Sequence, residues 1–590
     1  MFKLLKKLNG KQWFMIFGSL VLIVLQVWLD FKMLDYTENI IKVLGDYTKP
    51  DDGINKILSN GGLMLLCALS SLISAVIVGF VMSRLAASFS ENLRLELFTK
   101  IDSFSPKEIN EFSTESLITR TTNDVMQVQF YITMGAQLLI KAPILAVWAI
   151  IKIAGKGFEW TLATGITLLL LLIVITIVML VVVPKFKVIQ EKMDDLTKVT
   201  RENLTGVRVV RAYNAEKYQE QKFVKANKTL TDINLFTSRS MSIMMPVMTF
   251  LMSTLGLAIF WIAAYLLKDL SVLEYEKKME IFANMTVFNQ YAMMVIMSFM
   301  MLVMIFVMLP RTLVSAKRIN EVLDTKPSVR SGSFTKETKL RGAIEFKNVC
   351  FKYPSAEECI LKDINLKINP GETVAFIGST GSGKSTLINL IPRFYDATEG
   401  EILINNVNVK DYNLEYLYSK IGYVSQKAVL FKGSVKENIA FGAKNIEDVE
   451  EKDIWKSLEI AQGKDFIENL PNKLEDDISQ SGTNLSGGQK QRISIARAIN
   501  KKPEIFIFDD SFSALDFKTD KNLRDALKAE IKDATNLIVA QRIGTIMDAD
   551  KIVVLDEGKI VGVGKHKELL KTCQVYKEIA MSQLSEEELA

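Results

Sequence analysis

The chain has very little histidine and cysteine, and this narrows the chemistry available to it. Among 590 residues there is one histidine, His566, and there are four cysteines, Cys67, Cys350, Cys359 and Cys573. Because no two cysteines have the C-x-x-C spacing, the sequence predicts neither a disulfide framework nor a zinc site, and it fits a reducing compartment. A mechanism that requires histidine must use His566 or do without it.

A strong net charge is also lacking. Lysine and arginine number 72 against 67 aspartates and glutamates, so the net charge is +5 and no nucleic-acid partner is predicted. By contrast, 49% of the residues are hydrophobic. At this length the composition indicates several domains, of which one is apolar enough for a membrane.

Six apolar stretches occupy the first half of the chain. Each is near or above the ~20 residues that a helix needs to cross the hydrocarbon core of a bilayer, so six transmembrane helices are predicted. The alternative, a soluble protein with buried core helices, would need six such runs in one half of the chain. The stretches cover about 12–33, 61–86, 133–153, 160–184, 242–267 and 281–309.

The basic residues predict the orientation of these helices. Lys3, Lys6, Lys7 and Lys11 precede the first stretch, and the segment 185–241 is rich in lysine and arginine. Under the positive-inside rule the N-terminus, the long loops and the C-terminal half lie in the cytosol, which predicts a multi-pass protein of the cell membrane. No small-residue cleavage site follows the first stretch, so we expect a retained span rather than a signal peptide.

Two long polar segments, 87–132 and 185–241, have the apolar periodicity of helices. We expect the membrane helices to continue into the cytosol, turn and return. The predicted tips are Ser103–Phe112 and Val210–Lys217. A short helix at each tip either docks on another, cytosolic domain and transmits its motion or belongs to a solvated hairpin.

Two features inside the spans each have two interpretations. Asp30, Lys32 and Asp35 lie near the end of the first stretch, where charges are either functional or simply interfacial. Residues 241–308 contain 14 of the 25 methionines. Methionine suits a pocket that repacks around varied apolar ligands, and it also suits ordinary packing.

The composition changes after the last stretch. Residues 1–310 are predicted to form the transmembrane domain, and 311–340 a polar connector that contains Pro327 and Gly332. Strand-like runs and then strand–helix alternation follow, so residues 341–590 are predicted to form a cytosolic α/β domain.

A glycine-rich segment in this second half has the GxxxxGKS spacing of a P-loop. It follows the strand-like run 373–377 and precedes the helix-like run 387–391, which is the context a P-loop requires. We expect Lys384 to reach the β- and γ-phosphates and Ser385 to hold Mg²⁺, so the predicted cofactors are ATP and Mg²⁺. The predicted phosphate-binding residues are Gly378, Ser379, Thr380, Gly381, Ser382, Gly383, Lys384, Ser385 and Thr386.

Further residues around the P-loop fit nucleotide chemistry. Tyr353 is predicted to stack on adenine. Gln426 ends a strand-like run, and Asp509 ends the buried run 505–509, where a carboxylate fits Mg²⁺. The run LSGGQ at 485–489 is a second glycine-rich helix start, and we expect it to hold a phosphate.

In this order the P-loop, Gln426, LSGGQ, Asp509 and the run SALD at 513–516 resemble the ATPase domain of an ABC transporter. Six spans before one such domain resemble a half-transporter of the exporter type, and the segments 117–125 and 202–213 resemble its two intracellular loops. The resemblance implies a polytopic helical membrane domain, an α/β P-loop ATPase domain, and a dimer in which two ATPase domains sandwich two ATP molecules. It implies that Ser486, Gly488 and Gln489 face the ATP on the partner's P-loop, and that Gln426 joins Ser385 and Asp509 at Mg²⁺.

Three positions depart from the family pattern. Asp510 stands where most members have the glutamate that polarises the attacking water, and Gln541 stands where a histidine usually contacts the γ-phosphate. His566 lies in a predicted surface turn and does not replace that histidine. Gln480 is a weaker departure, since exporters often have glutamate there. Aspartate is one methylene shorter than glutamate and withdraws the base by ~1–1.5 Å, which can cost on the order of 100-fold in rate.

Together these departures resemble the degenerate-site subunit of bacterial heterodimeric multidrug exporters. The prediction is a slow site with Asp510, Gln541 and Gln426 in the catalytic positions, paired with a non-identical half-transporter. The expected cargo is an amphipathic or lipophilic compound moved out of the cytosol or inner leaflet. The alternatives are a homodimer with a conservative aspartate base, a lipid flippase or peptide exporter, and an ATP-gated regulatory subunit.

Overall fold

The computed structural model describes residues 2–44, 50–154, 156–268, 270, 274–354, 356–443 and 445–584. Contacts divide the chain into two compact units. The first unit contains Met1–Lys100 and Ile118–Asp324, and the second contains Ile101–Leu117 and Thr325–Ala590.

The first unit is helical. Within the described residues, six helical stretches are long and apolar enough to cross a membrane, as the sequence predicts. Along the chain the first helices are α1 Phe2–Leu5, α2 Gly10–Leu44, α3 Pro50–Asp102, α4 Pro106–Phe112, α5 Thr114–Thr119, α6 Val125–Phe130 and α7 Ala136–Ala154, of which α4 and most of α5 belong to the second unit. The later ones are α8 Phe158–Thr205, α9 Val207–Ala212, α10 Glu216–Ser242, α11 Met244–Lys268 and α12 Tyr275–Asp324.

The helices extend well beyond their apolar stretches, as predicted for the arms. Helix α3 is 53 residues long and α8 is 48 residues long, and each is longer than a bilayer crossing requires. The short helix α4 lies at the first predicted tip, and the short helix α9 begins before the second predicted tip and overlaps only its start. Since α4 belongs to the second unit, the first tip lies against the segment that follows α12.

The polar connector begins later than the composition suggests. Helix α12 continues through residues 311–324, which the composition assigns to the connector, and ends at Asp324. The charged residues in this stretch conceal a helical pattern, because Thr312, Ala316, Ile319 and Val322 are almost completely buried. Their spacing of three or four residues is that of one helix face.

The charges near the end of the first span are paired. Asp35 accepts hydrogen bonds from Lys152 Nζ (2.8 Å) and from the Tyr291 hydroxyl (2.8 Å), and Asp30 accepts one from Ser71 Oγ (2.7 Å). Such pairing reduces the cost of charge among apolar helices. Some methionines of residues 241–308 are buried and others are exposed: Met248 lies in the core of the helices and Met245 is exposed. A methionine-lined ligand pocket therefore remains a prediction.

The second unit contains an α/β domain built on two larger sheets. A four-stranded antiparallel sheet has the order β2-β1-β4-β5, and a six-stranded sheet has the order β12-β11-β3-β10-β9-β6, with a short β7-β8 pair beside them. The strands are β1 Ile344–Phe351, β2 Leu361–Ile368, β3 Thr373–Gly378, β4 Glu399–Ile404, β5 Val407–Asn408, β6 Ile421–Val424, β7 Gly433–Ser434, β8 Asp477–Ile478, β9 Ile505–Asp509, β10 Thr535–Val539, β11 Lys551–Asp556 and β12 Lys559–Gly564.

Helices pack on the six-stranded sheet and on one another. They are α13 Lys384–Asn389, α14 Leu414–Ser419, α15 Val435–Ala440, α16 Glu451–Ile460, α17 Lys464–Glu468, α18 Gly487–Asn500, α19 Phe517–Glu530, α20 Ile543–Ile546, α21 His566–Thr572 and α22 Gln574–Met581. In the centre, β3, β9, β10 and β6 are mutually parallel along the order of the sheet. Their carboxyl ends therefore meet at one edge, where open α/β sheets bind ligands.

Glu108 of α4 joins the first tip to the chain after α12. Its side chain is 3% exposed, and its carboxylate accepts from the backbone N–H groups of Ser105 (2.9 Å) and Ser328 (3.1 Å). Burial raises the pKa of this carboxyl, but the hydrogen bonds from Ser105 and Ser328 outweigh burial, so the net pKa is lowered. Glu108 is therefore a buried carboxylate that is held in its charged form.

We expect Glu108→Ala to destabilise the second unit by about 1–3 kcal/mol, because the N–H groups of Ser105, which is buried, and of Ser328 lose their acceptor. Thermal unfolding of the purified chain should show a lower transition temperature. Glu111 is exposed on the same helix, and Glu111→Ala is the matched control. Equal transition temperatures for the two variants would contradict the assignment.

Candidate ATP site

The P-loop connects β3 to α13 at the carboxyl edge of the six-stranded sheet. Residues Val374 to Ile377 of β3 are fully buried, so the start of the loop is fixed by the core. A side chain on Gly378 would place Cβ 2.0 Å from the Leu555 carbonyl oxygen, and Gly383 has a φ of +95°. Both positions therefore require glycine, which gives the sequence pattern a structural cause.

Lys384 lies against this loop. Its Nζ donates to the carbonyl oxygens of Gly378 (2.9 Å) and Ser379 (2.8 Å). Burial lowers the pKa of the ammonium, while Asp510 and Asp509 act in the opposite direction. The cation is thus placed within the loop that the sequence predicts to bind phosphate.

Ser385 and Asp509 form a pair of oxygen groups suited to Mg²⁺. Ser385 Oγ donates to Asp509 Oδ1 at 2.8 Å, and Asp509 is 5% exposed. Burial raises the pKa of the Asp509 carboxyl, and the Ser385 hydroxyl opposes this shift. A hydroxyl and a carboxylate leave room in an octahedral shell for water and phosphate oxygens, so these residues fit the predicted ion.

Asp510 brings the three predicted catalytic residues together. Its Oδ2 accepts one hydrogen bond from Gln426 Nε2 (3.1 Å) and another from Gln541 Nε2 (2.9 Å). Asp510 is 8% exposed and has a φ of +48°. Its N–H donates to the carbonyl oxygen of Val539 at 3.0 Å, which holds this backbone conformation. Two neutral amides therefore surround the carboxylate oxygen.

Tyr353 lies beside the P-loop helix in a cluster of aromatic rings. Its ring centroid is 4.8 Å from that of Phe351 and 5.3 Å from that of Tyr395. Its hydroxyl lies 3.3 Å from Thr386 Oγ1. The ring is thus placed next to the predicted phosphate-binding segment, and stacking on adenine remains a prediction.

The LSGGQ segment starts α18 and caps it. Ser486 is the N-cap residue, Gln489 N–H donates to Ser486 Oγ (3.3 Å), and Ser486 N–H donates to Gln489 Oε1 (2.8 Å). Gly488 passes close to Ala514, because a Cβ there would lie 3.3 Å from the Ala514 carbonyl oxygen. Within the residues that the structure describes, no hydrogen bond connects this segment to the P-loop of the same chain.

Two residues at the site, Tyr423 and Gln583, have no clear signal in the sequence. Tyr423, in β6, donates to Asn389 Oδ1 at 3.0 Å and also interacts with Asp509. Burial is the main cause that raises the pKa of Tyr423. Gln583, just after α22, hydrogen bonds to the backbone on both sides of Arg542. Tyr423 is only three residues from Gln426, but no sequence pattern identifies Gln583.

The prediction of a surface turn at His566 is wrong. The side chain is 6% exposed, and its Nδ1 lies 2.6 Å from the Tyr576 hydroxyl. Burial is the main cause that lowers the pKa of this imidazole. Lys565 precedes α21 as its N-cap residue and Lys567 lies on α21, while the side chain of His566 packs inward against Tyr576 of α22.

A P-loop ATPase domain that follows six membrane-length helices on one chain defines the subunit of an ATP-driven transporter. Comparison with known proteins agrees: the family profile described as "ABC transporter" matches residues 361–513, and the profile described as "ABC transporter transmembrane region" matches residues 15–290. The chain belongs to the ABC transporter family.

Relatives and a solved structure support this assignment along most of the chain. An uncharacterized ABC transporter ATP-binding protein of Mycobacterium tuberculosis is 36% identical over 549 residues, which are 90% of this chain and 91% of the relative. An ATP-dependent lipid A-core flippase of Pseudomonas aeruginosa is 30% identical over 508 residues, 86% of this chain and 82% of the flippase. A bacterial Atm1-family ABC exporter with ATP bound shares the fold with a TM-score of 0.79, at 22% identity and over 97% of this chain and 99% of the exporter.

Proposed function

We propose that this chain is one subunit of a heterodimeric ABC exporter and that its own P-loop site binds ATP but cleaves it slowly. The partner is a non-identical half-transporter whose P-loop site carries the full catalytic set. In this assembly Ser486, Gly488 and Gln489 of this chain face the nucleotide on the partner's P-loop. The expected cargo is a small amphipathic or lipophilic compound.

The observation that carries this proposal is the environment of Asp510. The carboxylate that activates the attacking water must lie near the γ-phosphate. The side chain of Asp510 is one methylene shorter than that of glutamate, so its carboxylate reaches less far. Its Oδ2 is bonded to two amides, from Gln426 and Gln541, and an amide cannot become a cation as an imidazole can. The one histidine of the chain is bonded to Tyr576 instead. Binding groups are therefore retained while the hydrolytic groups are weakened.

The binding groups have separate roles in the proposal. The backbone of residues 378–383 and Lys384 hold the phosphates, and Tyr353 stacks on adenine. Ser385, Asp509 and Gln426 would hold Mg²⁺, which would supply positive charge at the phosphates when bound. These residues bind and orient the nucleotide whether or not it is cleaved.

The membrane part of the proposal follows from the charge pattern. Both termini and the arms lie in the cytosol, and the six spans cross the cell membrane. ATP drives transport because it binds the closed ATPase dimer more tightly than the open one. The methionine-rich spans 242–267 and 281–309 supply the adaptable surface that varied apolar cargo requires.

The proposal is tested by isolating this chain, with an affinity tag, from its native membrane. We expect a second, non-identical ABC half-transporter to copurify in equal amount. Proteoliposomes that contain both chains should accumulate a lipophilic dye when ATP is added, and liposomes with this chain alone should not. Recovery of this chain only, with full transport, would contradict the proposal.

A second candidate function is a homodimeric lipid flippase. The similarity to lipid A-core flippases at 30% identity favours it. The two candidates differ in what stimulates ATP hydrolysis. If the protein is a flippase, lipid should stimulate ATP hydrolysis by the homodimer, and a lipophilic dye should not reduce that stimulation.

A further inference from the structure

The residue Gln583, near the C-terminal end of the described chain, is bonded to the loop that carries Gln541. Its Nε2 donates to the Gln541 carbonyl oxygen at 2.8 Å. Its Oε1 accepts from the Ile543 N–H, also at 2.8 Å. The side-chain amide of Gln583 therefore makes two hydrogen bonds, one to a backbone group on each side of Arg542.

The loop between these two groups connects β10 to α20. It is short, and the side chain of Gln541 leaves it to reach Asp510 Oδ2 at 2.9 Å. On the side of β10, the Ala540 N–H donates to the Phe376 carbonyl oxygen at 3.2 Å. On the other side of the loop, the side chain of Arg542, the N-cap residue of the four-residue helix α20, makes no capping hydrogen bond. The first N–H group of α20, that of Ile543, donates to Gln583 instead. Gln583 therefore caps α20 and ties it to the Gln541 carbonyl at the same time.

Packing fixes the position of Gln583 although its side chain is exposed. Tyr576 and Ala580 of α22 are fully buried, in the same hydrophobic cluster as Ile543 and Ile546 of α20. The Gln583 N–H donates to the Ala580 carbonyl oxygen at 3.1 Å. Since α20 and α22 pack in one cluster, the amide of Gln583 reaches the loop from a rigid base.

We propose that Gln583 is a positioning residue for ATP cleavage: it holds the Gln541 loop so that the Gln541 amide stays on Asp510. This inference rests on the proposed role of Gln541 at the nucleotide. Gln583 does not touch the nucleotide itself. Its loss should leave ATP binding intact and should lower the cleavage rate by about tenfold, since small displacements near reacting groups have large effects on rate.

The test uses the full-length chain in lipid nanodiscs and measures single-turnover ATP cleavage, the KM for ATP and the unfolding temperature. Gln583→Ala removes both hydrogen bonds. Gln583→Glu keeps the acceptor for Ile543 but places a carboxylate oxygen against the Gln541 carbonyl. Both variants should lower the cleavage rate with little change in KM. Gln574→Ala, at the other end of α22, removes only a surface bond to Glu578 and is the matched control.

A double-mutant cycle with Gln541→Ala separates positioning from general stability. If Gln583 acts through Gln541, adding Gln583→Ala to Gln541→Ala should cause no further loss of rate. A further tenfold loss, or a loss that a lower unfolding temperature alone accounts for, would overturn the inference. If Gln541→Ala lowers the rate and Gln583→Ala does not, only the positioning role fails. If Gln541→Ala has no effect, the proposed role of Gln541 fails and the positioning role with it.

Discussion

Replacing Asp510 by glutamate should raise the rate of ATP cleavage at this chain's own site by roughly 10- to 100-fold. The extra methylene would advance the carboxylate by about 1 Å, toward the place where a water must be activated. Asp510 follows a fully buried strand and its N–H is bonded to Val539, so the backbone should stay in place and the added length should extend the side chain. Single-turnover cleavage by the purified chain measures the effect.

Two further variants make this gain interpretable. Asp510→Asn keeps the size of the side chain and removes the charge, so it should reduce cleavage below the rate of the natural chain. Adding Gln541→His to Asp510→Glu should raise the rate further, because an imidazole can contact the γ-phosphate as a cation. An unchanged rate for Asp510→Glu, with unaltered ATP affinity, would contradict the view that the short acid limits this site.

Replacing Lys384 by alanine should reduce ATP binding at this site by about 100-fold or more. Lys384 Nζ is bonded to two carbonyl oxygens of the P-loop, and its ammonium is the positive charge that the loop offers to the β- and γ-phosphates. Titration with a fluorescent ATP analogue, in the presence of Mg²⁺, measures the loss.

Lys559→Ala is the control for this variant. Lys559 is an exposed lysine on the edge strand β12, and its removal changes the net charge by the same amount. We expect ATP affinity to be unchanged there. Equal losses of affinity in the two variants would indicate a general electrostatic effect rather than a P-loop contact.

The fold of the C-terminal half is predicted well from the sequence, because its nucleotide-binding motifs follow strands. The P-loop, Asp509 and Gln426 each lie at the end of a buried run, and parallel strands bring such ends to one edge of a sheet. The meeting of Gln426 and Gln541 on Asp510 therefore follows from topology. The six spans are equally clear, since apolar runs long enough to cross a bilayer are seldom found in soluble domains.

Other features depend on packing that local composition conceals. Charged residues hide the buried face of α12 between 311 and 324, and lysines beside His566 hide its burial against Tyr576. Gln583 is more than 40 positions away from Gln541 along the chain, and their contact is set by the packing of α22 and α20 into the same hydrophobic cluster. Long-range contacts of this kind have no signature in a single sequence.

The proposed function depends most on the difference between two nucleotide pockets in one assembly. The most direct measurement is photolabelling of the assembly from native membranes with a radioactive azido-ATP, followed by separation of the chains and analysis of the trapped nucleotide. A slow site on this chain predicts intact ATP on its own P-loop and ADP on the P-loop of its partner after one turnover. Equal and rapid formation of ADP on both P-loops would contradict it.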